Sequence, residues 1–201
     1  MKIAAVILAG GRGERLGGVN KALLDIGGKR FIDLAVEAVG GCNRVLIAVG
    51  REAFAVPPSA EAIFDIEGDY AGPLAGVASA VQHLRARGVD ALLSLAVDTP
   101  LFPHDFLART VPLLASAPAV VGAFGPQDYP TNALWRLDAI RDLDRDVASG
   151  TAPRSLKRLA ATLGAMRLDY AEIVAADPFR NANTPEDLAF LRLAASGSAR
   201  G

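Results

Sequence analysis

Short apolar runs alternate along this chain with stretches whose apolar residues recur at helical spacing, and that alternation restricts the fold more than any other feature. The runs IAAVILA, RVLIAV, AIFD, ALLSLAV and AVVGAF are brief and bounded by Gly, Pro, Asn or Asp, as buried strands are. Between them, FIDLAVEAV, PLAGVASAVQHLRARG and PHDFLARTVPLLAS read as helices; SLKRLAATLG and PEDLAFLRLAA are two later ones. Pro73 suits a helix start and Gly88 a C-terminal cap. Strand–helix alternation predicts an α/β domain whose sheet is mainly parallel and doubly wound, with helices on both faces. From Asp128 to Trp135 the alternation becomes irregular. No repeat or linker divides the chain, so one domain is expected over residues 1–195, followed by a small, polar, frayed tail at 196–201.

The 201 residues suffice to bury a real core. A formal net charge of −1 offers no global attraction to nucleic acid or to an anionic membrane, so any anion site must be local. The one cysteine, Cys42, excludes an intramolecular disulfide and a multi-cysteine metal site, and His83 and His104 are too few for a typical His-rich one. The N-terminal apolar run is too short for a signal peptide, and no stretch approaches the roughly 20 apolar residues of a membrane span. A soluble, cytoplasmic protein is expected.

The first run leads directly into AGGRGERLGG, with Lys21 close behind. In an open, Rossmann-like sheet, ligands bind outside the carboxyl ends of the strands. Glycines at that edge let backbone amides approach phosphate oxygens, and Arg12, Arg15 and Lys21 can neutralise charge. Two better-known phosphate loops do not fit. Gly13 and Gly18 have the Walker spacing, but Val19 and Asn20 follow where Lys and Ser/Thr are needed. Leu16 stands where the dinucleotide fingerprint requires its third glycine. Three cations in one glycine loop favour a polyanion such as a nucleoside triphosphate over a flexible turn.

LAGGRGERLGGVNKALL resembles the nucleotidyltransferase signature of bacterial molybdenum cofactor guanylyltransferases, approximately LAGGxxxRMGGxDKxLL. DYAGPLAGVASAV, LAVDTPLFP and DPFRNANTPEDL match further blocks of that family in order, over almost the whole chain. The resemblance implies transfer of GMP from GTP to the phosphate of molybdopterin carrying molybdenum, with release of pyrophosphate. Mg²⁺ is the implied cofactor, Asp98 its ligand, and Arg15, Lys21 and Asp98 the catalytic set. It implies nucleotide contacts at Leu8, Ala9, Gly10, Gly11, Lys21, Asp65 and Asp98. Transient contact with proteins that deliver molybdopterin or mature molybdoenzymes is expected by analogy.

The residues bear separate readings. Asp98 follows the strand ALLSLAV, where a lone carboxylate suits Mg²⁺; a turn former before Pro100 is the structural alternative. Asp65, Glu67 and Asp69 precede a small-residue helix start, and alignment on GPLAG selects Asp65. Gly72, Leu74 and Gly76 leave room for a ligand against the backbone, or pack their helix closely on the sheet, and the two roles are compatible. Asn181 and Asn183 can donate hydrogen bonds to the second substrate, whereas Thr184 with Asp187 resembles a capping box. Tyr129 and Trp135 either line the acceptor side or fill the core. Cys42 has nothing nearby to activate it.

Three features depart from the family pattern: Asn20 replaces an aspartate before Lys21, Ala48 replaces an asparagine that in the family often contacts the nucleotide, and YPTNALW differs from the usual Pro-x-x-Gly-Leu-Trp-like run. A sister transferase using CTP or another acceptor, and a nucleotide-binding module without turnover, are the alternatives. Related cytidylyltransferases carry LAAG at the first block. Gly10 in place of that alanine opens space beside the base and favours a purine.

Overall fold

The computed structural model describes residues 1–10, 12–13, 19–50, 54–66 and 72–198. The first apolar run becomes β1 (Ile3–Leu8). Two minimal ladders follow, β2 (Arg12–Gly13) with β3 (Val19–Asn20) and β4 (Asp25–Ile26) with β5 (Lys29–Arg30). The chain continues through α1 (Phe31–Ala38), β6 (Arg44–Ala48), β7 (Glu61–Ile63), α2 (Pro73–Leu84), β8 (Ala91–Ala96) and α3 (Phe106–Leu113). It ends with β9 (Ala119–Phe124), β10 (Gln127–Arg136), α4 (Leu143–Ala148), α5 (Leu156–Leu163), β11 (Met166–Asp169) and α6 (Pro185–Ser198).

Seven strands form one sheet in the order β11-β9-β10-β8-β1-β6-β7. β1 pairs in parallel with β6 and β8, β6 with β7, and β9 with β11; β10 runs against both of its neighbours. The expected mainly parallel sheet is therefore observed. Period-two alternation sends Ala4, Val6 and Leu8 of β1 to the side covered by α2, α4 and α5. Ala5, Ile7 and Ala9 face α1, α3 and Leu191 of α6. Helices thus cover both faces, as a doubly wound sheet requires.

The irregular stretch is β10, which returns from β9 through a two-residue turn in which Gly125 takes φ 55°. Its register against β9 slips between Tyr129 and Ala133. Pro130 lies in that interval, and a residue without an N–H is tolerated where a ladder is already broken. Pro73 occupies the first turn of α2, as expected. Gly88 corrects the expected cap: α2 ends at Leu84, Ala86 takes φ 64°, and Gly88, at φ 63°, lies beyond it in the turn toward β8. α4 and β11 are additional to the elements expected from sequence. α4 is held by Asp144, whose buried carboxylate accepts from Arg85 Nη2 at 2.6 Å through both oxygens.

The side of the sheet under α2 is closed by Trp135, which is fully buried and donates its indole N–H to Ser94 Oγ at 2.9 Å. That places it in the core, not at the acceptor side. Trp135→Ala leaves a large cavity and removes the donor to Ser94 Oγ, which keeps only its own bond to the Ala133 carbonyl, so a loss of about 3–5 kcal/mol is expected in denaturant unfolding.

Candidate active site

β1 leads outward through β6 to β7, and the chain then returns to place β8 on the opposite side of β1. The order of strands therefore reverses between β1 and β8, and a crevice opens at such a switch point. Here it is a cleft of about 230 Å³. Leu8, Ala9 and Gly10 form one wall as β1 ends, Ala96 to Asp98 form another as β8 ends, and Pro73, Thr131, Lys21 and Asn181 complete it.

Lys21 reaches this cleft from a short 3-10 turn, Lys21–Leu23, that follows β3. Asn20 caps the turn by accepting from the Ala22 N–H at 3.0 Å. An aspartate oxygen would do the same, so the Asn20 substitution keeps the local geometry and removes one negative charge. Lys21 Nζ donates to Asp98 Oδ2 at 2.6 Å and to Asn183 Oδ1 at 2.6 Å. Lys21 and Asp98 are 17% and 14% exposed, so the pair is neither solvent-screened nor sealed from a ligand. The loop after β8 is tied to the loop before α6 by the Ala182 N–H, which donates to the Asp98 carbonyl at 3.0 Å.

That second loop is anchored by Phe179, which packs against Phe102, Phe106, Tyr129 and Tyr170. Gly122 of β9 admits the ring, since a Cβ there would stand 2.7 Å from Phe179 Cζ. Tyr129 also donates to the Asp177 carboxylate. Burial and that neighbour raise the tyrosine above its ordinary pKa, so it remains a neutral donor bracing the loop. Thr184 and Asp187 form the capping box read from sequence: the Asp187 N–H donates to Thr184 Oγ1, and Asp187 Oδ2 accepts from the Thr184 N–H, both at 3.1 Å. Burial alone would raise the Asp187 carboxyl, but bonds from Arg180 and Thr184 hold it below its ordinary range.

Lys21, Asp98, Asn181 and Asn183 are therefore brought together at the cleft, with Leu8, Ala9 and Gly10 along its wall. Gly11 and Arg15 lie outside the described residues. Leu74 is buried in the core and Gly76 packs on β1 and β6: a Cβ on Gly76 would meet Leu8 Cδ2 at 2.8 Å and Ala48 Cβ at 3.0 Å. Close packing, not ligand room, accounts for both. Gly72 caps α2 at φ 76°, a conformation that favours glycine. Asp65 lies across from Gly76, its Oδ1 3.8 Å from where that Cβ would stand. Ala48 faces the same buried contact, so the strand end it occupies looks into the core beneath α2. Cys42 is remote, and burial pushes its thiol up to about 12, consistent with an unactivated side chain.

Gly10 requires a different account from the one its sequence context suggests. A Cβ there would stand 3.0 Å from Gly50 Cα and 3.1 Å from Gly50 N, so the glycine permits two backbone segments to meet. The space is filled by backbone and is not left beside a base. Gly10→Ala is expected to lower stability by about 1–3 kcal/mol through overpacking. It should reduce turnover with all nucleotides alike and leave the ratio of GTP to CTP use unchanged, as measured by melting and by rates with each nucleotide.

A cleft walled in part by Gly10 at the switch point of a doubly wound sheet, with Lys21 and Asp98 paired within it, has the chemistry of a site for nucleotide phosphates. Residues 5–166 match the family model described as MobA-like NTP transferase domain, and the chain belongs to that family. A molybdenum cofactor guanylyltransferase of Acidiphilium cryptum is 39% identical over 194 residues, covering 92% of each chain. The molybdopterin-guanine dinucleotide biosynthesis protein A of Archaeoglobus fulgidus superposes with a TM-score of 0.73 at 22% identity, covering 98% of this chain and 100% of that one. A 2-C-methyl-D-erythritol 4-phosphate cytidylyltransferase of Thermus thermophilus superposes at 0.68 with 19% identity, again over 98% and 100%. The shared fold thus includes proteins named for molybdopterin-guanine dinucleotide biosynthesis and for cytidylyl transfer.

Proposed function

We propose that this chain transfers GMP from GTP to the terminal phosphate of molybdenum-loaded molybdopterin, releasing pyrophosphate and forming molybdopterin guanine dinucleotide. The observation that carries the reading is Lys21 poised between Asp98 and Asn183 at the mouth of the β1–β8 cleft. The 39%-identical guanylyltransferase, aligned over nearly all of both chains, supports the choice of donor and acceptor.

The acceptor phosphate oxygen attacks the α-phosphorus in line, and the bond to the bridging oxygen of pyrophosphate breaks. Such a displacement needs positioning and charge neutralisation more than covalent chemistry. Lys21 supplies a mobile point charge that can exchange Asp98 for a phosphate oxygen. Arg15 and loop amides, from Gly11 onward, would share the charge that builds on the leaving group. Asp98 fits Mg²⁺, which takes one or two carboxylates and completes its shell with substrate phosphates and water. Among the described residues no group of three or more His, Cys, Asp or Glu gathers to cage a metal. When bound, Mg²⁺ would neutralise the triphosphate.

Asp65 is proposed as a nucleotide contact from the far side of Gly10 and Gly50. Asn181 and Asn183 would meet a phosphate oxygen of one of the two substrates, GTP or the pterin. The domain would span residues 1–195, and the protein would act in the cytoplasm, meeting carriers and recipients of the cofactor transiently. No described helix is long and apolar enough to cross a membrane. The test is pyrophosphate release with GTP, CTP and ATP, with and without molybdenum-loaded molybdopterin and with and without Mg²⁺. Release with GTP alone, dependent on both pterin and metal, is expected. Release with CTP would keep the mechanism and replace the donor.

A further inference from the structure

A line of hydrogen bonds runs from the end of β8 to the cleft, and its direction is fixed at its source. The Ala96 N–H can only donate, and it donates to Asn132 Oδ1 at 3.0 Å. Asn132 is fully buried, in the interval where β10 slips register against β9. With its oxygen committed, Asn132 turns Nδ2 toward Thr99 Oγ1 at 3.4 Å. Thr99, itself buried, then has its proton for Asn181 Oδ1 at 3.1 Å. Each group has a single remaining role, because an amide carries its donor and acceptor on opposite sides.

From this we infer that Asn132 and Thr99 are positioning residues that hold the Asn181 amide with its oxygen turned away from the cleft and its NH₂ presented to it. The presented donor selects an anionic phosphate oxygen. Lys21, which can only donate, fixes Asn183 in the same sense by occupying its oxygen. The two asparagines of the NAN stretch therefore both offer NH₂, one set by a buried relay and the other by an ammonium. The inference rests on the transferase reading only for which substrate bears the phosphate. Asn132 carried no signal in the sequence, because its partners lie 33 or more residues away and one is a peptide group.

Inorganic pyrophosphate, titrated calorimetrically into the wild-type chain, Thr99→Ser, Thr99→Val and Asn132→Asp, tests the relay without requiring turnover. Thr99→Ser keeps the hydroxyl and is expected to bind within about twofold of wild type. Thr99→Val frees the Asn181 amide and should weaken binding about fivefold to tenfold. Asn132→Asp accepts from both Ala96 and Thr99, so Thr99 must accept from Asn181 Nδ2 and the amide oxygen faces the anion. A loss of about tenfold or more is expected. If Asn132→Asp does not fold, the Thr99 pair alone decides. Equal affinity in Thr99→Val and wild type overturns the inference, as does failure of the wild type to bind pyrophosphate. In turnover, Thr99→Val should raise one KM with kcat within about twofold, and the KM that rises, for GTP or for the pterin, identifies the phosphate that Asn181 meets. Normal pyrophosphate binding without turnover on any nucleotide would overturn the transferase reading and leave the relay standing.

Discussion

Asp98→Ala lowers pyrophosphate release by about a thousandfold or more, while the chain stays folded. Loss of several kcal/mol of charge stabilisation at the triphosphate corresponds to that factor. Stability should change little, because Asp98 shares Lys21 with Asn183 and its main-chain carbonyl still accepts from Ala182. The check is a melting curve beside a turnover assay across Mg²⁺ concentrations. Restoration of wild-type rate by excess Mg²⁺ would show that Asp98 merely concentrates the ion. A persistent loss at saturation would show that it fixes the ion's position.

Lys21→Met lowers kcat by about a hundredfold to a thousandfold, the range found when one preorganised donor to a developing charge is removed. The methionine stem retains most of the apolar volume, so the loss reports the charge. Lys21→Arg should restore little: the site places two acceptors each 2.6 Å from one ammonium, and a planar guanidinium matches a different geometry. Single-turnover rates at saturating GTP separate this chemical effect from weaker binding. A Lys21→Arg variant as fast as wild type would reduce the role of Lys21 to bulk charge.

The fold was legible where a strand is buried on both faces. β1, β6, β8 and β9 stand out because they are apolar apart from Ser94 and the leading Arg44, and apolar residues recur at helical spacing between them. β10 was obscured by its polar first half and by the slip that carries Pro130 to Asn132. β11 was obscured by its half-exposed sequence, MRLD. α4 reads as polar because one of its aspartates is buried only by virtue of Arg85, 59 residues away. At the site, Asp98 was legible from its place after β8 and Lys21 from its place behind the glycine loop, whereas Asn181 and Asn183 offered only their hydrogen-bonding type within DPFRNANTPEDL. Leu74 and Gly76 were selected with them because a small-residue helix start has the same sequence whether it clears space for a ligand or for a sheet. Gly10 shows the same limit: a sequence reveals that a glycine is present but not that the backbone of Gly50 presses against it.

The central claim is that the nucleotide's α-phosphorus, and no other, moves to the acceptor. Parallel reactions with α-labelled and γ-labelled GTP, Mg²⁺ and molybdenum-loaded molybdopterin test it directly. The α label is expected to enter a pterin dinucleotide, and the γ label to leave entirely as pyrophosphate. Transfer of γ label to the pterin, or its release as orthophosphate, would contradict it.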